Sequence, residues 1–267
     1  MLVITVYLPL NASAESHQEF ILGVVPQFEA SRTIDIWQPI IDQVNQRAHV
    51  KLVIKLSPSI PEFERQFSEG LFYFAYMNPY HMIIANEKQG YKPILRDVAR
   101  KLYGIIVVKK DSPFKSPKDL DGKKVAFPAP NALGASLIPR AEFRKKYHIN
   151  IIESYVKSHS SVYLNVVLGL TDAGGGIEKT LSQQPEAIKD QLRVLYKTQG
   201  VSPHPIVVHP RVSLGVQGRV IDALLDLGAN VLGQIQLSKV PIKKIGKASL
   251  KDYEDIRRLG IEEFYVE

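Results

Sequence analysis

Apolar positions along this chain fall into two alternating rhythms. Phe20 to Val25 (FILGVV) is a compact apolar run that ends at Pro26 and reads as a strand. Residues 33–48 then place Ile34, Trp37, Ile40, Ile41 and Val44 at helical spacing. Pro39 lies inside that pattern and predicts a kink or a late restart. A period of two returns at Val50, Leu52, Ile54 and Leu56, and Pro58 and Pro61 bracket the turn into a short helix over 61–69. Leu71 to Met77 reads as a third strand, and Asn78-Pro79-Tyr80 opens a helix over 80–89.

The alternation continues with a strand from Tyr103 to Lys109, a short helix near 117–120 and a strand over 124–127. The loop Pro130-Asn131-Ala132-Leu133-Gly134-Ala135-Ser136 leads into a helix over 137–147. A β-type run covers 149–156, helices cover 160–169 and 176–189, and a strand covers 192–197. The Pro-rich TQGVSPHPIVVHP follows, and the tail is helical over 213–227 and 250–259. Strands alternating with helices predict an α/β architecture with largely parallel sheets. Proline and charge interrupt the pattern near 104–110 and 197–208, which predicts two lobes. Residues 15–105 plus 203–267 form the first, and 106–202 form a second inserted into it.

The 267 residues are 45% apolar and 23% charged, the balance of a folded domain with a real core. A formal charge of +7 would suit an acidic partner, but the Lys and Arg residues are scattered and form no basic block, so nucleic acid is not expected. The absence of cysteine removes thiolate metal sites, a cysteine nucleophile, disulfides and a lipidated N-terminus. Leu2 to Leu10 is apolar and Ala12-x-Ala14 follows, the pattern of an export signal cleaved before Glu15. No Lys or Arg precedes the run, which fits a clipped or misassigned start. Residues 1–14 are therefore expected to be a signal remnant, and the mature protein to be soluble and outside the cytoplasm.

Catalytic and metal signatures are sparse. His204 and His209 are separated by no recognised ligand spacing, HExxH is absent, and Ile138 stands where a GxSxG elbow needs its second glycine. Gly174-Gly175-Gly176 is not a dinucleotide fingerprint. No enzyme activity, cofactor or metal is expected. The 130–136 loop is more informative: a strand, a glycine-containing turn and a helix aim free backbone N–H groups at one point, where the helix dipole favours an anion. Its candidate contacts are Asn131, Ala132, Leu133, Gly134, Ala135 and Ser136. His159, at the start of the 160–169 helix, is a tunable donor. Tyr76, Tyr80 and Tyr103 lie at strand ends or loop starts and can wall a cleft with an apolar body and a polar tip.

In order, GVVPQ (23–27), WQPIIDQV (37–44), AYMNPYH (75–81), YGIIVVKKDSPFKSPKDLDGKKVAF (103–127), PNALGASLIPR (130–140), SHSSVYLNVVLGLTDAG (158–174) and SPHPIVV (202–208) resemble the phosphonate/phosphate-type substrate-binding proteins of ABC transporters. The resemblance spans about residues 20–260. It implies a type II periplasmic-binding fold: two lobes, each with a mainly parallel sheet, closing over one small anion. The implied partner is an ABC permease, and the implied state a monomer. In that family a Ser-Thr-Ser run holds the phosphoryl oxygens; the aligned residues are Ala132, Leu133 and Gly134. The resemblance keeps Tyr103, His159 and Asp172 and replaces the usual Gly-Pro after the third strand by Asn78-Pro79. A hydrogen bond to a charged group contributes about 1.5–3 kcal/mol, so losing two or three weakens a plain phosphonate by orders of magnitude. A smaller anion, or one with an apolar part, fits better. A sensory module docking on a membrane histidine kinase or chemoreceptor is the alternative; an adjacent ATPase and permease gene, or an adjacent sensor kinase gene, separates the two.

Overall fold

The computed structural model describes residues 18–266, so the export-signal reading of residues 1–14 lies outside the described residues. Two sheets organise the chain. The first carries β1 (Glu19–Val24), β2 (Lys51–Leu56), β3 (Phe74–Tyr76), β4 (Lys92–Asp97), β10 (Ile206–Val208) and β11 (Ile245–Lys247), in the order β11-β4-β10-β3-β1-β2. The second carries β5 (Ile105–Lys109), β6 (Lys124–Phe127), β7 (Ile152–Tyr155), β8 (Ala173–Gly176) and β9 (Leu192–Lys197), in the order β7-β6-β8-β5-β9. The chain passes between them over residues 98–104 and 198–205. These two segments cross as an antiparallel bridge, Leu102 and Val201 exchanging N–H···O bonds of 2.8 and 2.9 Å.

The sheets are mixed rather than mainly parallel. β1 pairs in parallel with β2 and β3, and β6 with β7 and β8. β10 and β5, the strands that follow the two crossings, run antiparallel to their neighbours. Each enters its sheet from the other lobe, inserts between two of its strands (β4 and β3, β8 and β9) and runs against both. The parallel strands keep the βα connections that matter for the site.

The first helix is continuous across Pro39. α1 (Ala30–Ala48) places Thr33, Ile36, Trp37, Ile40, Ile41, Val44 and Ala48 on its buried face, and Ile34 only half-buried. α1 packs with α8 (Leu214–Ala229), whose Val216, Val220, Ala223, Leu224 and Leu227 complete the first core. The expected 176–189 helix is two short ones, α6 (Glu178–Ser182) and α7 (Glu186–Lys189), divided at Pro185. The expected 250–259 helix reduces to α10 (Glu254–Arg257) after a tighter turn. α9 (Val231–Lys239), β4, β8 and β11 were not anticipated. The remaining helices are α2 (Ile60–Ser68), α3 (Pro79–Gln89), α4 (Ile138–Glu142) and α5 (His159–Val167). α4 is the centre of one helical stretch over 133–147, whose first and last turns are wide. Its start lies four residues earlier than the sequence pattern implies.

β8 reads Ala-Gly-Gly-Gly because both its faces are covered at contact distance. A Cβ on Gly174 would lie 2.5 Å from Val162 of α5, and one on Gly176 would lie 2.2 Å from the Tyr163 hydroxyl. On the opposite face, a Cβ on Gly175 would lie 2.0 Å from the Ala135 carbonyl oxygen. Gly104 is under the same constraint, its Cβ falling 1.9 Å from the Gly134 carbonyl oxygen. Gly104 and Gly175 together let the 133–137 turn lie flat on the second sheet. Gly175→Ala therefore has to lift that turn, and an overpacked core site of this kind costs about 1–3 kcal/mol. A urea-unfolding midpoint lowered to that extent, with no loss for Gly218→Ala in α8, where an added Cβ meets nothing within 4 Å and the helical backbone favours alanine, is the expected result. Equal effects would remove the close-packing account.

Candidate functional site

The lobes meet across a cleft, and two cavities lie in it. The smaller, about 20 Å³, is lined by Val25, Gln27, Ile60, Asn78, Ala132, Leu133, Gly134, Ala135, His159, Ile177 and His204. Ile60 is the first residue of α2, Asn78 caps α3, Ala132 precedes the 133–147 stretch, and His159 is the first residue of α5. Four helix N-termini from both lobes thus surround one small space. Each contributes unsatisfied N–H groups and a partial positive charge.

Three of the four helices cap themselves. Ser59 accepts from the N–H of Glu62 (3.3 Å), Asn78 Oδ1 from that of His81 (2.8 Å), and Ser158 Oγ from that of Ser161 (3.1 Å). The fourth does not, because Ala132 has no side-chain acceptor. The Ala132 carbonyl oxygen accepts from Ser136 and Leu137, and the N–H groups of Leu133, Gly134 and Ala135 have no partner among the described residues. They are buried with the loop, all three residues being shielded from solvent. A buried donor without a partner is costly, so an acceptor from outside the chain would be favourable at this turn.

The histidines facing the cavity are uncharged. Burial pushes His159 down to about 4 and, with the neighbouring imidazoles disfavouring a further positive charge, pushes His204 down to about 3. Gln27 Nε2 lies 3.0 Å from His204 Nε2; the amide nitrogen can only donate, so Nε2 accepts and the proton of His204 sits on Nδ1. His159 Nδ1 lies 3.3 Å from Thr180 Oγ1, which is also within 3.0 Å of the Ile177 carbonyl and 2.7 Å of the Tyr163 hydroxyl. Among the described residues, none lining this cavity carries a charged side chain. Its field is that of the helix ends alone, and it favours a negative guest.

The larger cavity, about 480 Å³, adjoins the first along Gln27, Ile177 and His204. It lies beside the crossing segments and is lined by Tyr76, Asp97, Arg100, Lys101, Tyr103 and Lys179, among others. The Tyr76 ring stacks on His204 at 5.3 Å, and burial with the Asp97 charge raises its phenol well above the usual range. Lys197 Nζ stands 4.2 Å above the Tyr103 ring.

The sequence-derived candidates thus divide. Asn78, Ala132, Leu133, Gly134, Ala135 and His159 line the small cavity; Tyr76 and Tyr103 line the large one. Four lie elsewhere. Asp172 is exposed and accepts from the Lys124 N–H at the first residue of β6, the opposite end of that strand from the loop. Tyr80 packs on Tyr265 at 5.4 Å, and burial with the charges of Glu262 and Glu87 pushes it up to about 12. Ser136 is fully buried beneath the turn, outside both linings. Asn131 ties the lobes together: its amide donates to Glu64 (3.2 Å) and the Val266 carbonyl (2.7 Å), and its Oδ1 accepts from Val266 N–H (2.9 Å). Gln27, His204, Arg100, Lys101 and Lys179 were not anticipated as site residues. The first two lie within GVVPQ and SPHPIVV, but a glutamine and a histidine in loops carry no pattern that marks a cleft.

Two lobes joined by crossing strands, with an anion-favouring cleft at converging helix N-termini, define a type II periplasmic binding protein. A family model described as the periplasmic substrate-binding protein of phosphonate ABC transporters matches residues 22–253. The chain belongs to that family and is a solute-binding component of transport; the family is one of transport proteins, not of enzymes. Among solved structures, a binding-protein component of an ABC phosphonate transporter from Pseudomonas aeruginosa superposes with a TM-score of 0.82 at 17% identity, over 90% of this chain and 85% of that one. PhnD1 from Prochlorococcus marinus, in complex with methylphosphonate, gives 0.80 at 14% identity, over 91% and 97%. A Xanthomonas citri protein bound to chloride gives 0.76 at 16% identity, over 92% and 98%. At these identities the likeness establishes the fold. A search of curated proteins finds no match.

His159 and His204 are neutral in the folded protein but titrate near 6.5 once unfolded. Below pH 6.5 the unfolded chain binds the extra protons, so their contribution is complete above 6.5 and is lost as the pH falls toward 4. The slope is about 1.4 kcal/mol per pH unit for each histidine. Melting temperature should fall between pH 6.5 and 5, and His159→Gln should flatten the fall. A pH-independent melting temperature across that window would contradict the buried neutral state.

Proposed function

We infer that this chain is exported to the periplasm, captures a small oxyanion by closing its lobes and presents it, as a monomer, to an ABC permease. The observation that carries this reading is the uncapped turn at Ala132. Three N–H groups converge in a cavity lined without a charged side chain, where three other helix N-termini add to the field. An oxyanion placed there supplies the missing cap. The anions in the related structures support the reading: methylphosphonate in the Prochlorococcus protein and chloride in the Xanthomonas protein.

Closure is served by polar contacts between the lobes. Asn78 Nδ2 donates to the Asn131 carbonyl (3.2 Å), Arg140 Nη1 to the Phe264 carbonyl (3.0 Å), and Lys179 Nζ to the Ser238 carbonyl (3.2 Å). Lys145 pairs with Glu263 at 2.8 Å. A ligand that touches both lobes biases the open–closed equilibrium by its differential affinity for the closed form.

The ligand differs from a plain phosphonate. A space of about 20 Å³ holds one water-sized group, and Ala132, Leu133 and Gly134 offer no hydroxyl. Calorimetry with phosphate, phosphite and methylphosphonate should show saturable binding of at least one anion, with methylphosphonate weaker than micromolar. Ala132→Ser, which restores one hydroxyl, should tighten methylphosphonate about tenfold or more. Binding of none of the three would argue against an anion receptor, and submicromolar methylphosphonate binding by the unaltered chain would argue against the altered ligand.

A further inference from the structure

The larger cavity has a charge distribution that the small one lacks. Five charged side chains line it: Asp97, Arg100, Lys101, Glu178 and Lys179. Both carboxylates are already engaged. Asp97 is buried and accepts from the N–H groups of Ala99 (2.8 Å), Lys243 (2.8 Å) and Lys244 (3.2 Å). Glu178 is paired with Lys197 at 2.8 Å.

The three cations have no carboxylate partner among the described residues. Arg100 and Lys101 are exposed at the rim, and Lys179 is half-buried with one hydrogen bond, to the Ser238 carbonyl. Arg32 adds to the same field: with Arg100 and burial it lowers the affinity of Lys179 for its proton. Three cations against Asp97 and a Glu178 already shared with Lys197 leave the lining net positive, and an anionic guest relieves the repulsion among them.

The two cavities differ in size in the same sense. The small one has room for a single oxygen-sized group, and a phosphoryl-bearing molecule has to place most of its body elsewhere. The adjoining space of about 480 Å³ is in the range of small-molecule sites, and it opens beside the Gln27–His204 hydrogen bond that separates the two.

We propose that the ligand carries two anionic groups on a short linker. One lies at the helix N-termini, and the second, a carboxylate or another phosphoryl group, lies against Arg100, Lys101 and Lys179. Tyr76 and Tyr103 flank the linker. This rests on the anion-receptor reading and names the chemical class of its ligand.

The test is calorimetry of the full chain with methylphosphonate, butylphosphonate and 3-phosphonopropionate, which share a head group and differ in the tail. Three cations facing one carboxylate should favour 3-phosphonopropionate over butylphosphonate by about tenfold. Arg100→Gln with Lys101→Gln should reduce that ratio to about threefold or less. Both residues are exposed and have no ion-pair partner among the described residues, so the fold there does not depend on them. Lys179 is left in place because its bond to Ser238 also serves closure. Equal affinities for the two longer ligands, or a ratio that survives the double substitution, would overturn the second anion site while leaving the anion receptor intact. No binding of any phosphonate in the series would overturn the second site; failure of phosphate and phosphite as well would remove the receptor reading with it.

Discussion

A parallel strand cannot be followed directly by its neighbour; the chain has to return through a helix, and that helix starts at the carboxyl end of the strand. β2 leads into α2, β3 into α3, β6 into the 133–147 stretch and β7 into α5. Two pairs of such connections, one on each sheet, face each other across the crossing strands. Their N-termini are therefore collected in one place by topology, before any side chain is chosen. Each N-terminus is equivalent to roughly half a positive charge, and the arrangement creates an anion site even though the lining side chains are uncharged.

The side chains then decide which of these N-termini is open. Ser59, Asn78 and Ser158 satisfy their own helices, which leaves the field in place but removes free donors. Ala132 leaves the fourth end bare. A bare buried turn is tolerable only when the surrounding structure holds it, and Gly104 and Gly175 do so by letting the sheet approach its carbonyl oxygens. Asn131, next to it, is fastened to Glu64 and Val266 in the other lobe. Close packing of the turn and contact between the lobes thus share one segment.

The legible parts of this design were those with a local pattern. Residues 30–48 announce a helix by spacing, though a proline at position 39 is compatible with an unbroken helix once the tertiary contacts of Trp37, Ile40 and Ile41 are in place. The 130–136 loop was readable because glycine and small residues between a strand and a helix have a physical meaning. β8 was not: three glycines have the lowest strand propensity, and their role appears only when Val162, Tyr163 and the Ala135 carbonyl are seen against them. Asp172 and Tyr80 were misplaced for the same reason. Asp172, a candidate through the resemblance, lies exposed at the Lys124 end of β6, and Tyr80, two residues from Asn78, is buried against Tyr265. Arg100, Lys101 and Lys179 carried no sequence signal, since three cations separated by 78 residues converge only through the crossing strands.

A turn without hydroxyls at residues 132–134 has two opposing effects on an anion. Ala132 and Leu133 withdraw hydrogen bonds, yet they also exclude water, and in a drier space the remaining N–H dipoles act more strongly. The second effect is bounded, because transfer of a charged group from water costs several kcal/mol and three neutral donors offset only part of it. The deficit has to be met by groups outside the small cavity. The adjoining wall holds three cations without a carboxylate partner among the described residues, and charge placed there would leave one end of a ligand partly solvated and so lower the desolvation cost. On the proposed reading, a neutral inner cavity and a cationic outer one are complementary: the first would hold an oxygen by geometry, and the second would supply the electrostatic attraction that the first lacks.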